Sequence, residues 1–236
     1  MAATRYSLQV DTTLYNAQLL HLSHNKPSNK WPVKTVYPVT GAILPYKRIV
    51  TYYGNFYSTP MGILGELPPD QMLLKLKQEV KKWELADILT PVQPALEYIV
   101  VTAQRSSGKD GKYRLRMPLS EVDKTMELTA RINAIVFLDV QAGHSTLQEE
   151  LPRLHLYLKL LNVHLAIDPE YSMKGGEVPG SVIGTFGAED INYASAYLAQ
   201  IVREYNLPQR FWWCIVSQTK WLKIKRILLH VPKHNL

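Results

Sequence analysis

Two apolar runs that each stop at a carboxylate constrain the fold of this chain more than any other feature. Ala134-Ile-Val-Phe-Leu-Asp139-Val-Gln141 and Val163-His-Leu-Ala-Ile-Asp168-Pro-Glu170 both read as buried strands, and a helix-like segment separates them. Parallel β/α proteins deliver functional side chains to the C-terminal edge of the sheet in this way. An acid-lined site at that edge is the expectation.

The surrounding sequence repeats the unit. Arg48-Ile-Val-Thr-Tyr-Tyr53 is β-branched and aromatic, and Gly54 closes it. Asp70 to Trp83 then reads as a helix, with Leu76, Val80 and Trp83 on one face. A second strand covers Leu96 to Thr102, followed by the turn signal Gly108-Lys-Asp-Gly111. Ser120 with Asp123 has the spacing of a cap opening a helix that runs to about Ile132. After the strand ending at Asp139, Ser145-Thr-Leu-Gln148 repeats that capping spacing. Leu147, Leu151, Leu154, Leu158 and Leu161 form an apolar stripe that Pro152 interrupts. The fourth unit pairs Val163–Ile167 with a helix over Ala188–Tyr205, its face formed by Ile191, Ala194, Leu198, Ile201 and Tyr205. A fifth strand is expected near Arg210.

Four strand–helix units in succession predict an α/β fold with a parallel sheet and right-handed crossovers. A β/α barrel and an open doubly wound sheet both satisfy this pattern, and the preferred form is an incomplete (β/α) TIM-type barrel of about five strands, where roughly eight are usual. Residues 47–210 form the barrel portion. Residues 1–46, with prolines at 27, 32, 38 and 45, read as an extended lead-in, and residues 211–236 as an aberrant basic tail.

Charge narrows the partners. The net charge of +7 is concentrated at the end of the chain, where residues 211–236 hold Lys220, Lys223, Lys225, Arg226 and Lys233 with no acid. Residues 1–210 carry 22 basic and 20 acidic side chains, so general nucleic-acid binding by the body is not expected. No run of about 18 apolar residues suggests a membrane span. No secretory signal is visible behind Met1, and the single cysteine, Cys214, forms neither an internal disulfide nor a metal cluster. No cofactor is expected, because neither a Gly-x-Gly-x-x-Gly turn nor a Walker-type loop occurs.

The residues assigned to the mouth are Asp139, Asp168 and Glu170 as catalytic acids, with Tyr53, Asn55, Gln141 and His144 contacting substrate. A glycosidase needs two carboxylates flanking the scissile bond, one protonated and one ionised. Asp168 capping its own loop, with Glu170 paired to a lysine, is the plainer alternative, since Asp-Pro is ordinary turn chemistry. A metal-dependent hydrolase built on Asp139, His144 and Asp168 is the second functional reading. It has no tight histidine spacing behind it, and no metal is assigned. A non-enzymatic, cell-surface carbohydrate-binding protein is the third.

Several stretches resemble a family of largely uncharacterised bacterial exported or lipoprotein-type proteins with a glycoside-hydrolase-like barrel. They are Tyr52-Tyr-Gly54 with Met61-Gly-Ile-Leu-Gly65, Pro91-Val-Gln-Pro94, Leu138-Asp-Val-Gln141, Val163-His-Leu-Ala-Ile-Asp-Pro-Glu170 and Pro179-Gly-Ser-Val-Ile-Gly184, within residues 47–209. The resemblance implies a barrel fold and an exported or cell-surface location, while carbohydrate as partner follows from the glycosidase-like acid pair. It also implies a fifth strand reading like Val-Leu-Val-Val-His and further β/α units, whereas this chain continues Phe211-Trp-Trp-Cys-Ile215. Read across codon boundaries, those five residues encode leucine, valine, valine and then histidine or tyrosine. Residues from about 211 onward are therefore expected to be a frameshift product, with three of the five tryptophans and the only cysteine confined there. A genuine, divergent basic ending is the alternative.

Overall fold

The computed structural model describes residues 10–26, 37–209 and 212–214. Its core is a curled half-barrel sheet of five parallel strands with helices between them, the incomplete barrel anticipated from the repeating units. In chain order the elements are α1 (Thr12–Leu22), β1 (Arg48–Gly54), α2 (Ile63–Glu66), α3 (Pro69–Ala86), β2 (Val92–Ala103), β3 (Arg114–Arg116) and α4 (Leu119–Ala130). There follow β4 (Ile135–Val140), α5 (Leu147–Glu150), α6 (His155–Leu158), β5 (Val163–Ile167), α7 (Ala188–Glu204) and β6 (Trp212–Cys214).

The parallel order is β1-β2-β4-β5-β6, and β3 folds back antiparallel on the end of β2. Side chains alternate across the sheet. Val136, Leu138 and Val140 of β4 join Leu165 and Ile167 of β5 beneath the helices, against Leu147, Leu151, Leu154, Leu158, Leu198 and Ile201. Ala95, Ile135, Phe137 and Ala166 line the opposite, inner face, where Ile43, Ile49 and Trp213 pack on them.

Local sequence explains the helices. Pro69 occupies the first turn of α3 and Asp70 complements its N-terminus. In α7 the Asp190 carboxylate accepts the Gly187 amide at 2.7 Å, and Ile191, Ala194, Leu198 and Ile201 are buried as the periodicity requires. Tyr205 lies beyond the helix and is exposed. Pro152 divides the leucine stripe into α5, a 3-10 turn over Leu151–Leu154, and α6. Four of the five leucines stay buried and Leu161 is exposed.

Some local expectations are corrected. The α4 N-cap is Pro118, and no side chain caps that end, so Ser120 lies inside the helix. Thr146, not Ser145, caps α5, because the Ser145 hydroxyl is drawn to Glu149 and Glu150. The lead-in is not extended throughout. Asp11 accepts hydrogen bonds from the Thr13 and Leu14 amides and opens α1, which has no apolar stripe to announce it. Gln18 and His21 then tie α1 to Thr90 and Asp87, just before β2. The fifth parallel strand falls at Trp212–Cys214, within the stretch assigned to the tail, so the sheet extends past residue 210. The basic residues from Lys220 onward lie outside the described residues.

Truncating the helix layer should be costly. Leu198→Ala or Leu154→Ala is expected to lower unfolding free energy by about 2–5 kcal/mol. Leu156→Ala, at a position 62% exposed, should change it by less than about 0.5 kcal/mol. Urea denaturation of the three variants measures the difference, and equal small shifts would contradict the packing.

Candidate active site

Neighbouring parallel strands carry Asp139 and Asp168 to the same edge. Asp139 is the fifth of six residues in β4, and Asp168 directly follows Ile167, the last residue of β5. The register between β2 and β4 slips between Ile99 and Val101, and the Gln141 amide then bonds to the Val101 carbonyl at 2.9 Å. Such irregularities re-aim side chains at sheet ends. This one sits where Asp139 and Gln141 leave the strand.

The loops above the edge are tied together. The His144 amide donates to the Lys112 carbonyl, the Gly143 amide to Tyr171, and the Met173 amide to Gly143. Gly143 has φ +59, and a Cβ there would meet the Tyr113 carbonyl oxygen at 2.6 Å. Only glycine fits between the β2–β3 hairpin and the loop after β5.

Three buried acids share the inner face: Asp139 at 0%, and Glu97 and Asp168 at 4% exposure. Neither oxygen of Asp139 has a hydrogen-bond partner of normal geometry among the described residues, and the adjoining Val140 amide offsets little. Burial, then Asp168 and Glu97, drive its pKa well above the usual carboxylate range. Asp168 is pushed up to about 7 by burial, and the charge of Glu170 adds to the rise. The Glu170 amide and Gln141 act in the opposite direction. Glu97 also reaches about 7, raised by burial and by Asp168 and eased by the Trp213 indole, which donates to it at 2.9 Å. With values near 7, Glu97 and Asp168 exchange protons around neutral pH beside the buried, unpartnered Asp139, as a site that transfers protons requires.

Gln141 links the polar groups. Its side-chain N–H donates to the Tyr53 hydroxyl at 3.2 Å and to Asp168 at 3.4 Å, while its carbonyl accepts the Ala103 amide at 3.1 Å. Burial, followed by Asp139, Asp168 and Glu97, raises the Tyr53 pKa, so this hydroxyl stays neutral. Of the anticipated residues, Asp139, Asp168, Gln141 and Tyr53 therefore come together. Glu170 stands at the rim in the 3-10 turn Pro169–Tyr171, half-buried, and acts electrostatically on Asp168. The turn alternative also holds for part of Asp168. One oxygen caps that turn by accepting the Glu170 amide at 3.0 Å, while the other faces Gln141.

Two anticipated contacts are directed elsewhere. Asn55 gives its amide to the Ile99 carbonyl and accepts the Tyr57 amide, fixing the end of β1 against β2. His144 meets the Glu177 carbonyl at 2.7 Å and packs on Tyr113 at 4.4 Å between ring centres. Among the described residues no three His, Cys, Asp or Glu side chains are arranged to hold a metal ion, which removes the geometric basis for the Asp139–His144–Asp168 centre.

Sequence reasoning missed Glu97 and Trp213. Glu97 was legible as a lone acid in an otherwise apolar strand, Leu96-Glu-Tyr-Ile-Val-Val. Trp213 had no such signal, since its role depends on β6 docking beside β5. Cys214, next to it, has its thiol pushed up to about 12 by burial and by Asp168 and Asp139.

The fold and acid cluster define a half-barrel α/β protein with buried carboxyls of raised pKa towards its C-terminal edge. No family model, curated protein or solved structure matches the chain. No helix among the described residues is long and apolar enough to cross a membrane.

Proposed function

We propose that the acid cluster acts on carbohydrate, by glycosidase-like hydrolysis or by binding. One observation carries this reading: two acids on adjacent parallel strands reach the C-terminal edge together, buried and with raised pKa values. Retaining and inverting glycosidases both need a carboxyl that stays protonated near neutrality beside one that ionises. Asp168 and Glu170, nearer the rim, would face the sugar, while Asp139 holds a proton behind them. Tyr53 and Gln141 supply hydrogen bonds to hydroxyl groups. The resemblance of Leu138–Gln141 and Val163–Glu170 to an exported, glycosidase-like family supports the same reading and a cell-surface location.

The test is a panel of chromogenic glycosides and soluble oligosaccharides applied to the wild type, Asp168→Asn and Glu170→Gln. Hydrolysis should fall by about 100-fold or more in Asp168→Asn, the usual scale for losing a general acid or base. Saturable binding without hydrolysis would favour the non-enzymatic form. A wild type that neither binds nor cleaves any sugar would overturn the proposal.

A further inference from the structure

Glu97 has no role in the site as anticipated, yet the fold brings it there with care. It lies on the inner face of β2, in register with Tyr53 of β1 and Phe137 of β4, two residues below the Ile99–Asp139 pair on the same face. Its carboxylate accepts the Trp213 indole N–H, and that ring lies flat on Phe137 at 4.1 Å between centres and 5° between planes. A buried acid in a central strand is costly unless paired. Here the partner is a neutral donor rather than a cation.

We propose that Glu97 is a positioning residue of this site, held by Trp213, whose charge keeps the Asp139 carboxyl protonated while Asp168 exchanges its proton. The proposal rests on the carboxyl site described above, although its test requires no sugar. The groups around Glu97 come from every neighbouring strand. Tyr53 is neutral on β1, Asp139 lies on β4 and Asp168 follows β5, with His164 of β5 packed on Phe137 at 5.3 Å. Trp213 and Cys214 come from β6. Lys47 is bound by Gln93, four residues earlier on the same face of β2, at 3.1 Å. Among the described residues no salt bridge reaches Glu97. Its ionisation therefore adds negative charge against Asp139, and Asp139 binds its proton more tightly. Glu97 itself gives up its proton near pH 7, with burial the main cause of the rise.

Carboxyl carbon chemical shifts, followed against pH in the folded protein, read this directly. Glu97→Gln removes the charge and keeps the shape, so the Asp139 midpoint should fall by about half to one pH unit, a three- to tenfold loss of proton affinity. Glu97→Asp should retain most of the elevation. A folded Glu97→Gln protein with an unchanged Asp139 midpoint would overturn the proposal, since a purely structural Glu97 leaves its neighbours' titration alone. Trp213→Phe keeps the stack on Phe137 and removes the donor, which provides a test even where Glu97→Gln does not fold. The Glu97 midpoint should then rise, and an unmoved midpoint overturns the proposal. Absence of sugar hydrolysis would count against the proposed function and leave these titrations as they are.

Discussion

Asp139→Asn is expected to make the folded chain more stable, with the gain growing above pH 7. In the wild type, carboxyls with raised pKa bind more protons folded than unfolded between their ordinary values and their folded ones. Stability therefore falls as pH rises through that window and stays low above it. Asp168 and Glu97, both at about 7, would cost roughly 4 and 3 kcal/mol or somewhat more when ionised, at about 1.36 kcal/mol per unit. Because they repel one another, the combined effect is smaller than the sum. Asn at position 139 removes the cost of holding a proton on that buried carboxyl while the unfolded chain would ionise it. A gain on the order of 2 kcal/mol at pH 8 is expected, shrinking towards pH 5 as the unfolded carboxyl nears its ordinary pKa and also binds the proton. Denaturation midpoints of both proteins from pH 5 to 8 measure this. A variant less stable than the wild type at pH 8 would mean that Asp139 has a stabilising partner.

The opposite result is expected at Glu150, whose side chain is fully buried. It accepts Arg114 at 2.9 Å, Arg116 at 2.8 and 3.0 Å, and the Ser145 hydroxyl, clamping β3 to α5. Burial would raise its pKa, but Arg116, Ser145 and Arg114 together outweigh burial and hold it below the usual range. For a depressed carboxyl the stability is present above the unfolded pKa and is lost as pH falls through the folded one. Glu150→Ala strands two guanidinium groups, one of them only 6% exposed, and should cost about 3–5 kcal/mol at pH 7. A loss below about 1 kcal/mol would show that solvent or Asp110, which already pairs with Arg114 at 2.8 Å, replaces the clamp. Taken with the acid cluster, this places maximum stability near pH 5, since one group fails below that pH and the others above it.

The sheet was readable because its strands carry unbroken apolar runs bounded by turn residues. Val163–Ile167 is found where the run predicts it, and Arg48–Gly54 differs by one residue. Elements without periodicity were invisible. α1 buries no residue, and β3 is three residues long and held by the Glu150 clamp. For the site, the strand-ending acids were legible as the last polar residues of buried runs. Glu97 required knowing which face of β2 points inward, and Trp213 required the sheet to continue past residue 210. Asn55 and His144 show the limit from the other side. Residues of suitable chemistry near strand ends were claimed by backbone groups, and no spacing in the sequence announces that competition.

A crystal structure of the protein soaked with an oligosaccharide chosen from the binding panel shows whether the acid cluster is a sugar site. A sugar ring is expected at the C-terminal edge, beside Asp168 and Glu170 with Tyr53 and Gln141 in reach. The Asp139, Asp168 and Glu170 carboxyls should lie within about 5–9 Å of one another across the site. A sugar bound elsewhere on the chain, or acids facing away from it on opposite sides of the sheet, would contradict a carbohydrate site there.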